Sequence, residues 1–370
     1  MTTIEPSKKA MTGILAHREK MAKKYGTALT RQDTESTAYE IVSSGSVAID
    51  YATVVGGFVK GRIHLHWGAE GCGKTTEIIR ALAEEQKAYP DLAVAYIDME
   101  QTFDFDWAQK NGLDTREHRF IHLFPESSED VADMIKDQCM SGVVSAVAVD
   151  SVGGMVTKKA TEKDADESDM GKNSQVVTRM CQITAVVARK NKVTVHIVSQ
   201  VRADFKSQNG IETYAAPKAL RHATSMVLAY RQNGTMLKAK IEDEDIPVGK
   251  PVGIRIERSK VAAGGRKADV TILNVATAKY GPIGFDIVDE AYTVGTKPSV
   301  KGIIKQPGGY YLFPNGERIR SEATAREYLR KHPEVVEQVR LLAIESVKNM
   351  VQDEAPELVF VPGDIEEESA

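Results

Sequence analysis

The chain has 370 residues, of which 42% are hydrophobic and 27% charged, an ordinary globular mix with room for about two domains, or for one large domain with appendages. No run is long and apolar enough to span a bilayer, the polar and basic N-terminus lacks a secretory h-region, and three cysteines without metal spacing (Cys72, Cys139, Cys181) exclude a disulfide framework and point to the reducing cytoplasm. The formal net charge of −4 does not by itself mark a nucleic-acid binder.

Residues 6–25 have helical spacing, with Met11, Ile14, Leu15 and Met21 on one apolar face and Lys8, Lys9, Arg18, Lys20, Lys23 and Lys24 supplying positive charge. A polar linker, Thr27 to Thr37, follows, and the core begins near Ile41. Strands are expected at Ile63–Trp67, Ala93–Ile97, Arg119–Leu123, Val143–Val149 and Val193–Val198. Helices are expected at Lys74–Lys87, Asp104–Asn111, Ser128–Met140 and Gly171–Lys190. This alternation predicts an α/β fold with a mostly parallel central sheet, and the continuous apolar run Val143–Val149 suits a strand covered on both faces. After about residue 224, strands at Met226–Arg231, Val252–Glu257 and Ala268–Val275 predict an antiparallel extension, with Asn233-Gly234 as a hairpin signal between the first two. Beyond Pro282, a small hairpin around Gly308–Gly316 and helices at Thr324–Arg330 and Pro333–Met350 predict a small C-terminal α/β domain. The division is therefore 1–40 for the N-terminal helix and linker, 41–285 for the core, 286–350 for the small domain and 351–370 for an acidic tail. No Lys or Arg follows Lys348. The plain reading of the two ends is a solvated helix and a solvated acidic tail.

Between the first core strand and its helix lies Gly68-Ala-Glu-Gly-Cys-Gly-Lys-Thr75, a complete phosphate-binding loop in strand–loop–helix context. Its glycines allow a tight turn whose N–H groups form an anion nest, and the helix that follows adds its positive end. The nucleotide-binding set is Gly68, Ala69, Glu70, Gly71, Cys72, Gly73, Lys74, Thr75 and Thr76. Lys74 is read as the β/γ-phosphate ligand. Thr75 is read as a Mg²⁺ ligand together with Asp150, which ends the Ser145–Val149 strand. Hydrolysis needs a group to orient or deprotonate water. Asp98 and Glu100 both stand at the end of the Ala93–Ile97 strand, where alternation puts them on one face. Glu100 is favoured because it projects further beyond the sheet edge; the plain alternative is that either one caps the next helix, for which Asp104 is the better candidate. Gln200, after Val193–Val198, is placed to sense the γ-phosphate. Trp107 is read as either a core aromatic or a surface for adenine. Two long polar segments, Thr157–Lys172 and Val201–Pro217, carry cations. The second combines Arg202, Phe205 and Lys206 in the manner of a loop that binds single-stranded nucleic acid.

Taken in order, Ser43–Asp50, Gly56–Arg62, the phosphate loop, Ile97-Asp-Met-Glu100, Val149-Asp-Ser151 and Ser199-Gln-Val-Arg202 resemble the RecA recombinase family, from about residue 41 to about residue 350. The resemblance implies an ATP- and Mg²⁺-dependent, DNA-dependent ATPase. Such a protein forms helical homo-oligomeric filaments on single-stranded DNA and exchanges strands with double-stranded DNA. It further implies that Glu100 is the catalytic glutamate, that Trp107 packs on adenine, and that Gln200 couples ATP to DNA. Thr157–Met170 and Val201–Pro217 match the two DNA loops, with Met170, Lys172, Arg179, Arg202, Phe205 and Lys206 as DNA-binding residues. Glu257-Arg-Ser-Lys260 matches a segment whose two cations, Arg258 and Lys260, reach the ATP of the adjacent subunit. The basic N-terminal helix would dock on a neighbouring core. Ala216-Pro217 replace a customary glycine pair, and Gln175 and Gln182 stand near positions where the family carries arginines. These departures mark a diverged member, such as a virus-encoded copy. The alternatives are a RecA-fold motor or switch without strand exchange, such as a ring helicase, and a non-catalytic accessory that binds nucleotide.

Overall fold

The computed structural model describes residues 8–25, 39–152, 169–203, 212–214, 218–241, 243–277, 280–300 and 302–353. The acidic tail after Asp353 and most of the two expected DNA loops lie outside them. Residues up to Glu40 form a unit of their own. Its helix α1 (Lys8–Tyr25) leaves Met11, Ile14 and Leu15 exposed.

The second unit starts at Ile41. Strands β1 (Ile41–Val42) and β2 (Phe58–Val59) pair antiparallel and flank helix α2 (Val47–Thr53) in the chain. Then follow β3 (Ile63–Gly68), α3 (Lys74–Ala88), β4 (Ala93–Asp98), α4 (Phe105–Lys110), β5 (Phe120–Leu123), α5 (Ser128–Met140), β6 (Val144–Asp150), α6 (Asp169–Asn191) and β7 (Thr194–Ala203). After these come β8 (Glu212–Tyr214), α7 (Lys218–Ala223), β9 (Met226–Gln232), β10 (Leu237–Ile241), β11 (Glu244–Ser259), β12 (Lys267–Leu273) and β13 (Gly284–Phe285). The last elements are α8 (Ile287–Thr296), the short pair β14 (Tyr311–Leu312) and β15 (Arg318–Ile319), α9 (Glu322–Lys331) and α10 (Pro333–Asp353).

The main sheet runs β13-β12-β11-β9-β3-β7-β6-β4-β5, with β10 on β11 and β8 on β7. The six strands from β9 to β5 are mutually parallel, and the rest are antiparallel. This is the mostly parallel core with an antiparallel extension expected from the sequence. Every residue of β6 is buried, as a strand covered on both faces requires. Helix starts are set by local side chains: Asp104 accepts from the Trp107 N–H, Ser127 from Asp130, and Ser321 from Thr324. Residues of α8, α9 and α10 share one apolar cluster with β9, β11, β12 and α2, including Tyr230, Ile254, Ile272, Val294, Leu329 and Val339. No helix among the described residues is long and apolar enough to cross a membrane.

Two local expectations are corrected. Asn233-Gly234 does not link β9 directly to its antiparallel partner. The chain first forms β10, which pairs with the beginning of β11 on the same side as β9 and opposite β12, and reverses at Asp243, whose φ of 68° supplies the tight turn. The alternating Leu237-Lys-Ala-Lys-Ile241 is an edge strand whose lysines blunt the edge. The segment after Gln200 is not wholly irregular either: β7 runs on to Ala203 and returns as β8, pairing Val201 with Tyr214 and Arg202 with Thr213.

The strand expected at Ile63–Trp67 carries two fully buried histidines. His64 and His66 on β3 and His196 on β7 lie on one sheet face against Phe58. His66 bonds the Tyr230 hydroxyl at 2.7 Å through Nδ1 and His196 Nδ1 at 3.1 Å through Nε2, while His64 Nε2 meets the Val59 carbonyl at 3.1 Å. Nearby, Lys60 and Glu85 form a buried ion pair at 2.7 Å. Burial pushes His64 down to about 4 and holds His66 and His196 well below the usual range.

A histidine that is neutral when folded but free to protonate when unfolded gives stability that is present above pH ~6.5 and lost as pH falls toward its folded value. For His64 alone the loss reaches about 3 kcal/mol by pH ~4. Burial raises Asp50 to about 6 and Glu290 to about 7, and these carboxyls act in the opposite sense, favouring the fold as pH falls. A variant comparison therefore isolates the histidine. Urea midpoints measured from pH 7.5 to 4.5 should fall less steeply for His64→Val than for the parent chain; parallel curves would show that His64 carries no such linkage.

Candidate active site

The C-terminal ends of β3, β4, β6 and β7 lie side by side, because parallel strands end at the same sheet edge. Register sets Gly68 of β3 beside Gln200 of β7 on one side and Tyr230 of β9 on the other. It also sets Asp98 of β4 beside Asp150 of β6. Ligands gather at this edge in sheets of this kind.

The phosphate-loop glycines are needed for space and for turning. A Cβ on Gly68 would stand 2.4 Å from the Tyr230 carbonyl, and one on Gly73, at φ 81°, would stand 2.1 Å from Ile272 Cδ1. Cys72 points into the core, whereas Ala69, Glu70 and Gly71 are exposed. Gly73 precedes the first turn of α3, so the helix N–H groups open toward the loop. The Lys74 ammonium donates to the carbonyls of Gly68 (2.9 Å) and Ala69 (2.7 Å), spanning the loop. Burial lowers the lysine's proton affinity, while Cys72, Asp150, Glu100 and Glu70 raise it again.

Two hydrogen-bonded groups stand beside the loop. In the first, Asp150 Oδ2 accepts from the Thr75 hydroxyl at 2.7 Å and from the Tyr96 hydroxyl at 2.9 Å. Burial raises Asp150's proton affinity, and these two donors act against that rise, as does Lys74. In the second, Glu100 Oε1 accepts from Ser151 Oγ at 2.8 Å and from Gln200 Nε2 at 2.7 Å. The Met99 N–H donates to the Asp150 carbonyl at 2.8 Å, which ties the two strand ends together just where the side chains diverge.

Asp98 and Glu100 do not share a face. The strand ends at Asp98, and Gln101, at φ 54°, turns the chain away, so alternation stops applying before Glu100. Asp98 turns toward the β5 side, where it accepts from the Phe103 N–H at 3.1 Å and bonds His122 Nε2 at 3.2 Å. It braces the turn, and Asp104 caps α4. The half-buried Trp107 donates from Nε1 to Thr76 Oγ1 at 3.3 Å and packs against two apolar clusters, so its ring lies beside the start of α3.

Arg258 and Lys260 are not part of this constellation. A bulge at Glu257 shifts the register so that Arg258 faces Val227 and Ser259 faces Met226, at the start of β9. Gly68 pairs with Tyr230, three residues further along that strand, roughly 10 Å away at about 3.3 Å per residue. The two cations instead donate to the carbonyls of Arg221 (2.7 Å) and His222 (2.6 Å). Of the expected DNA contacts, Arg179 is exposed on α6, in line with exposed Gln175 and Gln182. Met170 and Lys172 fall in α6 and Arg202 in β7, but their side chains lie outside the described residues, as do Phe205, Lys206 and Ala216-Pro217 entirely.

Tyr96 and Ser151 were not anticipated. The available signal was a phenol in an otherwise apolar, doubly covered strand, where a buried hydroxyl calls for a partner. Among the described residues no set of three His, Cys, Asp or Glu is arranged to hold a metal. Thr75 and Asp150 are nonetheless oxygen donors of the kind a hard divalent cation takes alongside phosphate oxygens. The Thr75 hydroxyl spends its proton on Asp150, leaving its lone pairs for a cation.

Fold and site together define a P-loop nucleotide-binding core of the RecA type. The model of the RecA N-terminal domain matches residues 9–277. The chain is similar to the protein RecA of Paracoccus denitrificans, 29% identical over 329 residues covering 88% of this chain and 87% of that one. It is likewise similar to those of Thioalkalivibrio sulfidiphilus (28% over 341 residues, 90% and 92%) and Thermus aquaticus (27% over 314 residues, 84% and 87%). The chain belongs to the RecA family.

Replacing Glu100 with Gln keeps the size of the side chain but removes its charge. Glu100→Gln should lower steady-state phosphate release by about 10²- to 10⁴-fold while nucleotide affinity stays within a few-fold of the parent. Loss of nucleotide binding would make Glu100 a structural brace. Lys74→Ala should abolish turnover, and retained DNA-stimulated phosphate release would reject its role at the phosphates.

Proposed function

We propose that the protein is an ATP-dependent DNA recombinase that forms helical filaments on single-stranded DNA and exchanges strands with homologous duplex. The observation that carries this reading is the convergence of Lys74, Thr75, Asp150, Glu100 and Gln200 on one strand edge of a RecA-family core.

ATP enters with its phosphates on the loop N–H groups and at the start of α3. Lys74 exchanges the Gly68 and Ala69 carbonyls for the β- and γ-phosphate oxygens, which recover the charge that burial makes costly. Thr75 and Asp150 would hold Mg²⁺, which would supply charge neutralisation at the phosphate oxygens. Trp107, beside Thr76, borders the adenine. Ser151 and Gln200 both occupy Glu100 Oε1, leaving Oε2 to orient a water and accept its proton as the oxygen attacks the γ-phosphorus and the bond to ADP breaks. Gln200 also stands at the root of the β7–β8 hairpin, so a shift of its amide toward the γ-phosphate moves the segment holding Arg202, Phe205 and Lys206. Met170, Lys172 and Arg179 supply the companion DNA surface along α6.

Arg258 lies about 10 Å from its own loop along the strands, Lys260 further still, and both serve the ATP of the adjacent subunit. The exposed apolar face of α1, in residues 1–40, docks on a neighbouring core (residues 41–285), a head-to-tail contact that builds an open helix. Residues 286–350 form the small domain, and the acidic 351–370 compete with DNA for cationic sites.

Electron microscopy with single-stranded DNA and a slowly hydrolysed ATP analogue should show helical filaments that depend on both. Closed rings would favour the ring-helicase reading, and no DNA-dependent assembly would reject the filament.

A further inference from the structure

Tyr96 is 2% exposed in the middle of β4, yet it ends in a hydroxyl. Its ring is fixed on one side by aromatic contacts: Phe103 at 4.7 Å between centroids and His122, edge-on, at 6.1 Å. On the other side its register partner on β6 is Ala148. That small residue leaves the strand face open toward Asp150, two residues on and on the same face. The phenol fills this opening diagonally and donates to Asp150 Oδ2 at 2.9 Å. Thr75 reaches the same oxygen at 2.7 Å from the start of α3. Two donors on one carboxylate oxygen account for both of its lone pairs. The carboxylate plane is thereby pinned, and Oδ1 is the oxygen left for the site.

The two donors are not equivalent. Thr75 sits on the phosphate-loop helix and is itself exposed to the nucleotide site. Tyr96 sits on the sheet, held in a packed aromatic group with Phe103, Phe120 and His122. Only the tyrosine holds Asp150 from a fixed part of the fold.

We propose that Tyr96 is a positioning residue for the Asp150 carboxylate and sets this protein's affinity for the divalent cation that accompanies the nucleotide. The inference rests on the reading of Thr75 and Asp150 as the cation pair. Tyr96 touches neither nucleotide nor reacting atoms; it acts through the orientation of Asp150.

The test is Tyr96→Phe in the full chain, which keeps the ring and removes one oxygen. A fluorescent ADP analogue is titrated at a series of Mg²⁺ concentrations and again in EDTA, with the parent chain and Asp150→Asn in parallel, and thermal melts are recorded for each. Partners that orient a metal ligand typically matter by about 10- to 100-fold in metal affinity. Tyr96→Phe should therefore raise the half-saturating Mg²⁺ at least ~10-fold, with ADP affinity in EDTA within about twofold of the parent. Unchanged Mg²⁺ dependence in Tyr96→Phe, with a loss in Asp150→Asn, overturns the role of Tyr96 alone. Unchanged dependence in both overturns the cation-pair reading as well. Equal weakening of ADP binding with and without Mg²⁺, or a melt that collapses, makes the hydroxyl a packing element and also overturns the proposal.

Discussion

A charged carboxylate held at a buried strand end is the constraint on which the site depends. Asp150 is 9% exposed, and burial alone would drive it toward the neutral acid. The hydroxyls of Thr75 and Tyr96 and the ammonium of Lys74 oppose that drift. They come from two elements: Lys74 and Thr75 from the start of α3, where the phosphate loop ends, and Tyr96 from the middle of β4. The parallel register of β3, β7, β6 and β4 brings them together, so the sheet's topology and the site's electrostatics are one requirement. Glu100 repeats the pattern beside it, with Ser151 and Gln200 as its donors.

On the proposed reading, the same topology leaves the site to be completed by a neighbouring subunit. Antiparallel β11 runs back from the phosphate-loop edge, and its cations Arg258 and Lys260 end at the opposite edge, bonded to the carbonyls that close α7. Just before them the bulged Glu257 accepts from Trp67 Nε1 at 2.9 Å, across the small Ala229, tying that strand to the residue before the loop. The proposed phosphate ligands at one edge and these two cations at the other suit head-to-tail assembly, in which one subunit completes the next.

Much of this was legible in the sequence for reasons that are local. The phosphate loop, the apolar strand ending in Asp150 and the capped helices are written in neighbouring residues. What escaped depends on neighbours distant in the chain. His64, His66 and His196 were not recognisable as a buried group, because their burial follows from β3 lying beside β7 under Phe58. The Tyr96–Asp150 bond depends on a diagonal relation between β4 and β6 and on Ala148 being small. The pairing of Asp98 with Glu100 on one face failed because strand periodicity stops at Asp98. Strand β10 was missed because an edge strand with alternating lysines reads as a polar connection.

On the proposed reading, each nucleotide site is built from two copies of the chain. This is tested most directly by mixing Lys74→Ala, which keeps the cations but loses its own site, with the double variant Arg258→Ala/Lys260→Ala, which keeps the loop but supplies no cations. DNA-stimulated phosphate release is then followed across mixing ratios. Each variant alone should be nearly inactive. An equal mixture should recover about a quarter of the parent rate, the share of randomly formed head-to-tail interfaces that join an intact loop to intact cations. No recovery at any ratio, or a double variant that turns over by itself at the parent rate, would contradict the account.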